Sequence, residues 1–230
     1  MGQKKLVRFK AIENYQNVLQ YPDDIKGKWK NHFKNENSIT LELACGKGEY
    51  SVNLGREHKD RNFIGVDLKG NRIYIGAKTA LKENLENVAF MRTQIGQINQ
   101  YFEVGEVAEI WIVFSDPFLK KPKNRLTHPR FLHLYQQILQ PGAKIHLKTD
   151  SPVLYDFTLE TIEEQGCIIH ENIADIYGKG KATGALAIQT FYEKMHLADG
   201  RLINYVCFSL PQKEIIIPPK KKKDESPEAE

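Results

Sequence analysis

The stretch ITLELACGKGEY, residues 39–50, joins an apolar run to a turn that contains two glycines. The apolar residues over 39–44 predict a buried strand, and the residues over 49–58 predict a helix. Between them, Gly46 and Gly48 allow the backbone a positive φ and leave it open to a ligand. A strand, a glycine turn and a helix in this order are typical of the first unit of an α/β protein.

The same alternation continues along the chain. Apolar runs predict further strands over 62–67, 87–92, 109–114 and 143–149, with helices over 71–85, 131–139 and 153–165. This order predicts right-handed βαβ units and a mostly parallel sheet with helices on both faces. Two later runs, 167–174 and 202–210, enclose a polar stretch without a helical pattern. They predict an antiparallel pair at the edge of the sheet.

Length and composition predict one globular domain. The chain has 230 residues, of which 41% are hydrophobic and 27% charged, as in ordinary soluble proteins. We expect a basic N-terminal extension over 1–34, a single domain over 35–211 and a disordered charged tail over 212–230. The lysine run at 220–223 belongs to this tail, where charge at a chain end is usually solvated.

Several classes of protein are disfavoured. Apolar runs stay below the roughly 18 residues that a membrane helix needs, and MGQKKLVRF lacks the apolar region of a secretory signal. We therefore expect a cytoplasmic protein without membrane contact. Cys45, Cys167 and Cys207 are odd in number and widely spaced, so they predict buried reduced thiols and no metal site.

The residues around the first turn predict a nucleoside site. Glu42 precedes Gly46 and Gly48, and Asp67 ends the second predicted strand, where an acid accepts hydrogen bonds from ribose hydroxyls. The glycines lack the G-x-G-x-x-G spacing of a dinucleotide site, and a carboxylate such as Glu42 repels phosphate. A ligand with a ribose and an ammonium group fits this pattern, and S-adenosyl-L-methionine is such a ligand. The alternative is a plain tight turn with Glu42 in solvent.

A second charged pattern follows the fourth predicted strand, in FSDPFLKKPKNRLTHPRF, residues 114–131. Asp116 ends an apolar run and is held by a proline, which stiffens the turn. Its carboxylate can stabilise a cationic methyl donor or accept the N–H groups of a guanine. The cations after it predict a rim that binds phosphates: Lys120, Lys121, Lys123, Arg125 and Arg130. The alternative is a charged surface loop in which Asp116 caps a turn. We expect Glu42, Asp67 and Asp116 to converge on one edge of the sheet.

Five stretches together resemble the tRNA (guanine-N7-)-methyltransferase family. They are LELACGKGEY, FIGVDLK, FSDPFLKKPKNRLTHPRFL, HLKTDS and QTFYEKMHLADGRLIN, and the similarity runs in order over residues 18–208. The resemblance implies a Rossmann-like class I methyltransferase fold with a mostly parallel seven-stranded sheet, helices on both faces and an antiparallel C-terminal strand. It also implies S-adenosyl-L-methionine as the cofactor and a guanine in the variable loop of tRNA (position 46) as the acceptor.

The resemblance implies roles for individual residues. Glu42 and Asp67 correspond to cofactor contacts, and Asp116 to the family's catalytic or cofactor-side aspartate. Gln94 stands where the family usually has an acidic or amide residue at the adenine ring. Substrate contacts are implied for residues of three motifs: Lys120, Asp150, Thr190, Tyr192 and Glu193. Asp150 also precedes Ser-Pro, a pattern typical of a helix N-cap, so both interpretations of it stay open.

Two departures leave alternatives open. Phe118 replaces the family's tryptophan, and the basic loop is shorter, so Lys123 and Arg125 are candidates to replace the missing cations. One rival is an adenine-N6 or small-molecule methyltransferase, because D-P-P-F-like motifs also follow the fourth strand in such enzymes. Another is a tRNA-binding protein with a vestigial cofactor pocket. A nicotinamide dehydrogenase is disfavoured by the missing glycine and by Glu42. Monomer and homodimer both stay open.

Overall fold

The structure is a computed structural model that describes residues 2–219, so the lysine run at 220–223 lies outside the described part. Its strands are Val18–Gln20 (β1), Ser38–Leu43 (β2), Arg61–Asp67 (β3), Val88–Arg92 (β4), Val107–Val113 (β5), Leu139–Thr149 (β6), Ile168–Ile173 (β7) and Asn204–Ser209 (β8). Its α-helices are Gly2–Ile12 (α1), Trp29–Phe33 (α2), Glu49–Glu57 (α3), Gly70–Lys82 (α4), Pro129–Gln136 (α5), Pro152–Gln165 (α6) and Phe191–Ala198 (α7).

The strands form one sheet in the order β1-β4-β3-β2-β5-β6-β8-β7. Strands β1 to β6 pair in parallel, and β8 pairs antiparallel with both β6 and β7. The predicted mostly parallel sheet with an antiparallel C-terminal pair is confirmed. The sheet has one strand more than the expected seven, because the three-residue β1 adds to the edge beside β4.

Each central strand packs both of its faces, since successive side chains point to opposite sides of a sheet. On β5, Ile110 and Ile112 contribute to one hydrophobic core, whereas Trp111 and Val113 contribute to the other. Residues of α5 and α6 cover the first face, and residues of α3 and α4 cover the second. Helices therefore cover both faces of the sheet, and the ends of the strands are left open to a ligand.

The packing crosses the domain boundaries expected from composition. Within the segment 1–34, Trp29 is fully buried and stacks on Phe102 at 5.2 Å between ring centroids, and β1 joins the sheet. Beyond residue 211, Ile215 is buried and its N–H donates to Gln136 Oε1 at 3.0 Å. Both ends of the described chain are thus partly built into the same core.

The polar stretch between β7 and β8 contains α7, which the expectation of a connection without a helix missed. Among residues 2–219, no helix combines the length and the apolar character that crossing a membrane requires. The three cysteines are free; Cys45 and Cys207 are buried, and Cys167 is half-buried. The described residues also contain no cluster of three or more His, Cys, Asp or Glu side chains that could hold a metal ion.

Candidate active site

The predicted site residues follow the carboxyl ends of neighbouring parallel strands. Glu42 on β2 is aligned with Gly65 on β3 and with Trp111 on β5. Asp67 follows Gly65 by two residues, and Asp116 follows Trp111 by five residues. The three carboxylates therefore belong to the same edge of the sheet, where open α/β sheets bind their ligands.

The glycine turn contacts Asp67 directly. The Gly46 N–H donates to Asp67 Oδ2 at 2.9 Å, and the Lys69 N–H donates to Oδ1 at 2.7 Å. Gly46 has a φ of +55°, and a Cβ placed there would meet no atom within 4 Å. At Gly48 a Cβ would lie 2.2 Å from Phe90. Gly46 thus borders open space, whereas Gly48 is required by packing.

Glu42 lies beneath this turn and is buried. Its Oε2 accepts hydrogen bonds from the Ser51 N–H at 2.7 Å and from the Ser51 hydroxyl at 2.6 Å. Burial raises the pKa of Glu42 to about 7, although the bonds from Ser51 act in the opposite direction. No ion pair joins it to a basic side chain among residues 2–219. The alternative of a solvated Glu42 is therefore wrong, and an unpaired buried carboxyl favours a cationic ligand.

These groups fit S-adenosyl-L-methionine. The Glu42 carboxyl can face its ammonium group, and the Asp67 carboxylate keeps lone pairs for ribose hydroxyls. Gln94 is exposed two residues beyond Arg92, which is aligned with Asp67 at the end of β4. Its amide can both donate to and accept from an adenine edge. Gly46, whose N–H contacts Asp67, borders open space.

The loop after β5 carries backbone strain on both sides of Asp116. Phe114 has a φ of +49° and Phe118 a φ of +41°, values that residues other than glycine rarely adopt. Asp116 is exposed, and its Oδ1 accepts the Phe118 N–H at 2.8 Å. The carboxylate therefore caps a turn, as the alternative predicted, while remaining accessible. Strained positive φ values of this kind cluster at functional sites.

Most of the predicted phosphate rim is accessible, but Arg125 is not. Lys120, Lys121 and Lys123 are exposed, and Arg130 is half-buried. Arg125 is only 5% exposed, and its Nε donates to the Pro117 carbonyl at 2.8 Å. The prediction that Arg125 binds phosphate is wrong in this structure, because its guanidinium is buried and stabilises the loop through the Pro117 carbonyl.

Thr190 and Glu193 begin α7 with a capping box. Thr190 Oγ1 accepts the Glu193 N–H at 3.1 Å, and Glu193 Oε2 accepts the Thr190 N–H at 3.4 Å. Glu193 is fully buried and its Oε1 lies 2.6 Å from Lys148 Nζ. Thr190 and Glu193 therefore have structural roles in the free protein, and the substrate contacts implied for them stay predictions. Tyr192, between them, is 39% exposed and accessible.

Asp150 follows β6 but does not cap α6. The cap is Ser151, whose Oγ accepts the Leu154 N–H at 3.3 Å. Asp150 instead accepts a hydrogen bond from Arg201 Nη1 at 2.7 Å, and His196 of α7 lies 3.5 Å from the same oxygen. The N-cap interpretation of Asp150 is wrong, and the residue is tied to the far end of α7.

Lys148 is the main structural residue that the sequence analysis overlooked. Its fully buried Nζ donates to the Leu186 carbonyl at 2.8 Å and the Ile188 carbonyl at 3.1 Å, in addition to pairing with Glu193. A lysine inside the apolar strand AKIHLKT was the available signal, because a buried cation needs partners. For α7 the signal was the T-x-x-E pattern of a capping box.

Comparisons with known proteins agree with this geometry. A family profile described as a putative methyltransferase matches residues 36–201. The chain is 46% identical to the tRNA (guanine-N(7)-)-methyltransferase of Porphyromonas gingivalis, over 86% of each chain. It is 44% identical to the protein of that name from Bacteroides fragilis, over 92% of this chain and 88% of the relative. A solved SAM-dependent methyltransferase from Aquifex aeolicus shares the fold, with a TM-score of 0.55, 14% identity and coverage of 89% and 98% of the two chains.

Proposed function

Because the chain belongs to the tRNA (guanine-N7-)-methyltransferase family, we propose that it transfers a methyl group from S-adenosyl-L-methionine to N7 of a guanine in the variable loop of tRNA. The observation that carries the proposal is the similarity to curated relatives over most of both chains. The carboxylates at one edge of the sheet support it, because they suit a cationic nucleoside.

The cofactor contacts divide among three strands. S-adenosyl-L-methionine, when bound, supplies a methyl group on a positively charged sulfur. Glu42 holds its ammonium group, Asp67 accepts from its ribose hydroxyls and Gln94 bonds to its adenine edge. The open space beside Gly46 accommodates the ligand close to the backbone. All four residues lie at or just beyond the ends of β2, β3 and β4.

Asp116 is the proposed catalytic residue. Guanine N7 has an in-plane lone pair and no proton, so no side chain has to act as a general base. The Asp116 carboxylate accepts hydrogen bonds from the N1–H and the amino group of the guanine. These bonds fix the base so that N7 lies in line with the methyl group. As positive charge moves onto the purine, these hydrogen bonds strengthen, so Asp116 stabilises the transition state more than the ground state.

The tRNA backbone is held beside this pocket. Lys120, Lys121 and Lys123 are exposed on the loop after Asp116 and suit phosphate contacts. The accessible ring of Tyr192 suits contact with an unpaired nucleotide. Asp150, directly after β6, is a further polar contact for the tRNA. The phosphates position the tRNA, and the acidic pocket selects the base.

The proposal extends to location and assembly. A chain that modifies tRNA is expected in the cytoplasm. One chain supplies every group named above, so a monomer suffices and a homodimer is compatible. The transfer uses no metal ion, because the donor sulfur already carries the activating charge.

The proposal is tested by incubating the protein with unmodified tRNA and methyl-labelled S-adenosyl-L-methionine, followed by nucleoside analysis. We expect label in N7-methylguanosine. Label in N6-methyladenosine would favour an adenine methyltransferase. Cofactor and tRNA binding without any labelled nucleoside would favour a non-catalytic tRNA-binding protein.

The Asp116→Asn variant tests the catalytic role. Its kcat should fall by about a hundredfold or more, while the Kd of the cofactor changes by less than about threefold, because the contact matters most in the transition state. Asp60→Asn removes the same charge from an exposed loop before β3 and serves as the matched control. An unaltered kcat in Asp116→Asn would exclude this role.

A further inference from the structure

Glu49 connects two helices whose first residues are 142 positions apart. It is the first residue of α3, directly after Gly48, and its carboxylate accepts the N–H of Phe191, the first residue of α7. The two oxygens lie 3.0 and 3.1 Å from that nitrogen. The N–H of the first residue of a helix has no acceptor within its own helix. Glu49 supplies one and places a negative charge at the positive end of α7.

Lys47 makes a second contact with the same residue. Its Nζ lies 3.5 Å from the centroid of the Phe191 ring, within the range of a cation–π interaction. Lys47 and Glu49 flank Gly48, so both contacts originate in the turn that we assign to the cofactor. Lys47 and Glu49 are half-buried, and Phe191 is 47% exposed.

The start of α7 is therefore fixed from two directions. Lys148 on β6 holds Glu193 from the sheet side, and Glu49 holds Phe191 from the cofactor turn. Tyr192 lies between these two anchored residues. A methyl transfer requires donor and acceptor to be aligned closely, and a displacement of about 1 Å can cost about a hundredfold in rate. An anchor between the cofactor turn and a tRNA-contacting helix sets that alignment.

We propose that Glu49 is a positioning residue that fixes the start of α7 to the cofactor turn, so that the methyl donor and the tRNA keep a fixed position relative to each other. The inference rests on the proposed function for its consequence in catalysis. The anchor itself is a property of the free protein. Lys47 reinforces the anchor through the Phe191 ring.

The anchor is measured by amide hydrogen exchange in the free protein, without tRNA. The Phe191 amide of Glu49→Ala should exchange at least about tenfold faster than in the wild type. Glu57→Ala, which removes an exposed carboxylate from the last turn of the same helix, should leave it unchanged. Equal exchange rates in Glu49→Ala and Glu57→Ala would overturn the proposal. Because this readout needs no methyl transfer, its outcome is independent of the proposed function.

The catalytic consequence is measured with tRNA and calorimetry. In Glu49→Ala the kcat at saturating substrates should fall at least about tenfold, while the Kd of S-adenosylhomocysteine stays within about threefold. Glu49→Gln should retain most of the kcat, because its amide oxygen still accepts the Phe191 N–H. A kcat of Glu49→Ala within about twofold of Glu57→Ala, or an equal loss in Glu49→Gln, would contradict positioning through this hydrogen bond.

A variant of Lys47 keeps the test decisive if Glu49→Ala does not fold. Lys47→Met removes the cation above the ring while leaving the Glu49 carboxylate in place. A faster exchange at Phe191 is expected, smaller than the effect of removing the acceptor. Unchanged exchange at Phe191 in Lys47→Met would then overturn the proposal that the cofactor turn anchors the start of α7.

Discussion

Glu42 is expected to lose a proton when the cofactor binds, so the affinity for the cofactor should fall as the pH is lowered. In the free protein, burial raises the pKa of Glu42 to about 7, and the hydrogen bonds from Ser51 offset this only in part. An ammonium group placed against the carboxylate favours its ionised form and lowers the pKa again. Below about pH 7, binding therefore has to displace a proton.

The size of the effect follows from linkage. If the bound carboxylate returns to its ordinary pKa of 4.5, the cofactor should bind about eightfold more weakly at about pH 6 than at about pH 7.5, or about 1.2 kcal/mol. At about pH 6.5, roughly three-quarters of the free molecules carry the proton, so binding should release about 0.75 protons. The amino group of the ligand stays mostly charged over this range, since its ordinary pKa is about 7.7 to 8.0.

Titration calorimetry with S-adenosylhomocysteine in two buffers of different ionisation enthalpy measures the released protons directly. Glu42→Gln is the control, because its amide cannot ionise. It should bind more weakly than the wild type but with no dependence on pH in this window. Proton release near zero at about pH 6.5, or the same pH dependence in Glu42→Gln, would refute the reasoning.

Two further predictions concern buried charges. Burial by itself raises the pKa of Glu109, but the hydrogen bond and charge of His146, together with Arg61, lower it to about 2. This folded pKa lies below the ordinary 4.5, so the stabilisation is complete above about pH 4.5 and is lost as the pH falls towards 2. Between about pH 4.5 and pH 2, Glu109→Gln should therefore lose up to about 3 kcal/mol less free energy of unfolding than the wild type. An unchanged pH dependence would contradict the pairing. Lys148→Met leaves the Glu193 carboxylate buried without its partner and should lower the free energy of unfolding by about 3–5 kcal/mol in a urea titration. Adding Glu193→Gln to Lys148→Met should recover part of that loss, and strictly additive losses would contradict a direct pair.

Local patterns were sufficient for the sheet and for its ligand-binding edge. The strands around β2 and β3 are apolar runs bounded by a glycine turn and an acid, so their ends could be located from adjacent residues. Parallel pairing then placed Glu42, Asp67 and Asp116 at one edge without knowledge of their distances, because the carboxyl ends of parallel strands share an edge.

The roles that sequence reasoning missed depend on contacts between distant segments. Arg125 appeared to belong to a surface loop, because its acceptor, the Pro117 carbonyl, becomes available only when the loop folds back. Lys148 and Glu193 lie 45 positions apart in the sequence. The residues around each of them do not indicate that the other is its partner. The three-residue β1 is too short to show a periodic pattern.

The account as a whole depends on Glu42, Asp67 and Asp116 lining one crevice, in which the cofactor and the guanine meet. A crystal structure of the protein with S-adenosylhomocysteine tests this most directly. We predict the ligand's ammonium group at Glu42, its ribose hydroxyls at Asp67 and its sulfur open to the pocket that Asp116 lines. A ligand bound elsewhere, or an Asp116 carboxylate that points to a surface separate from the sulfur, would contradict the account.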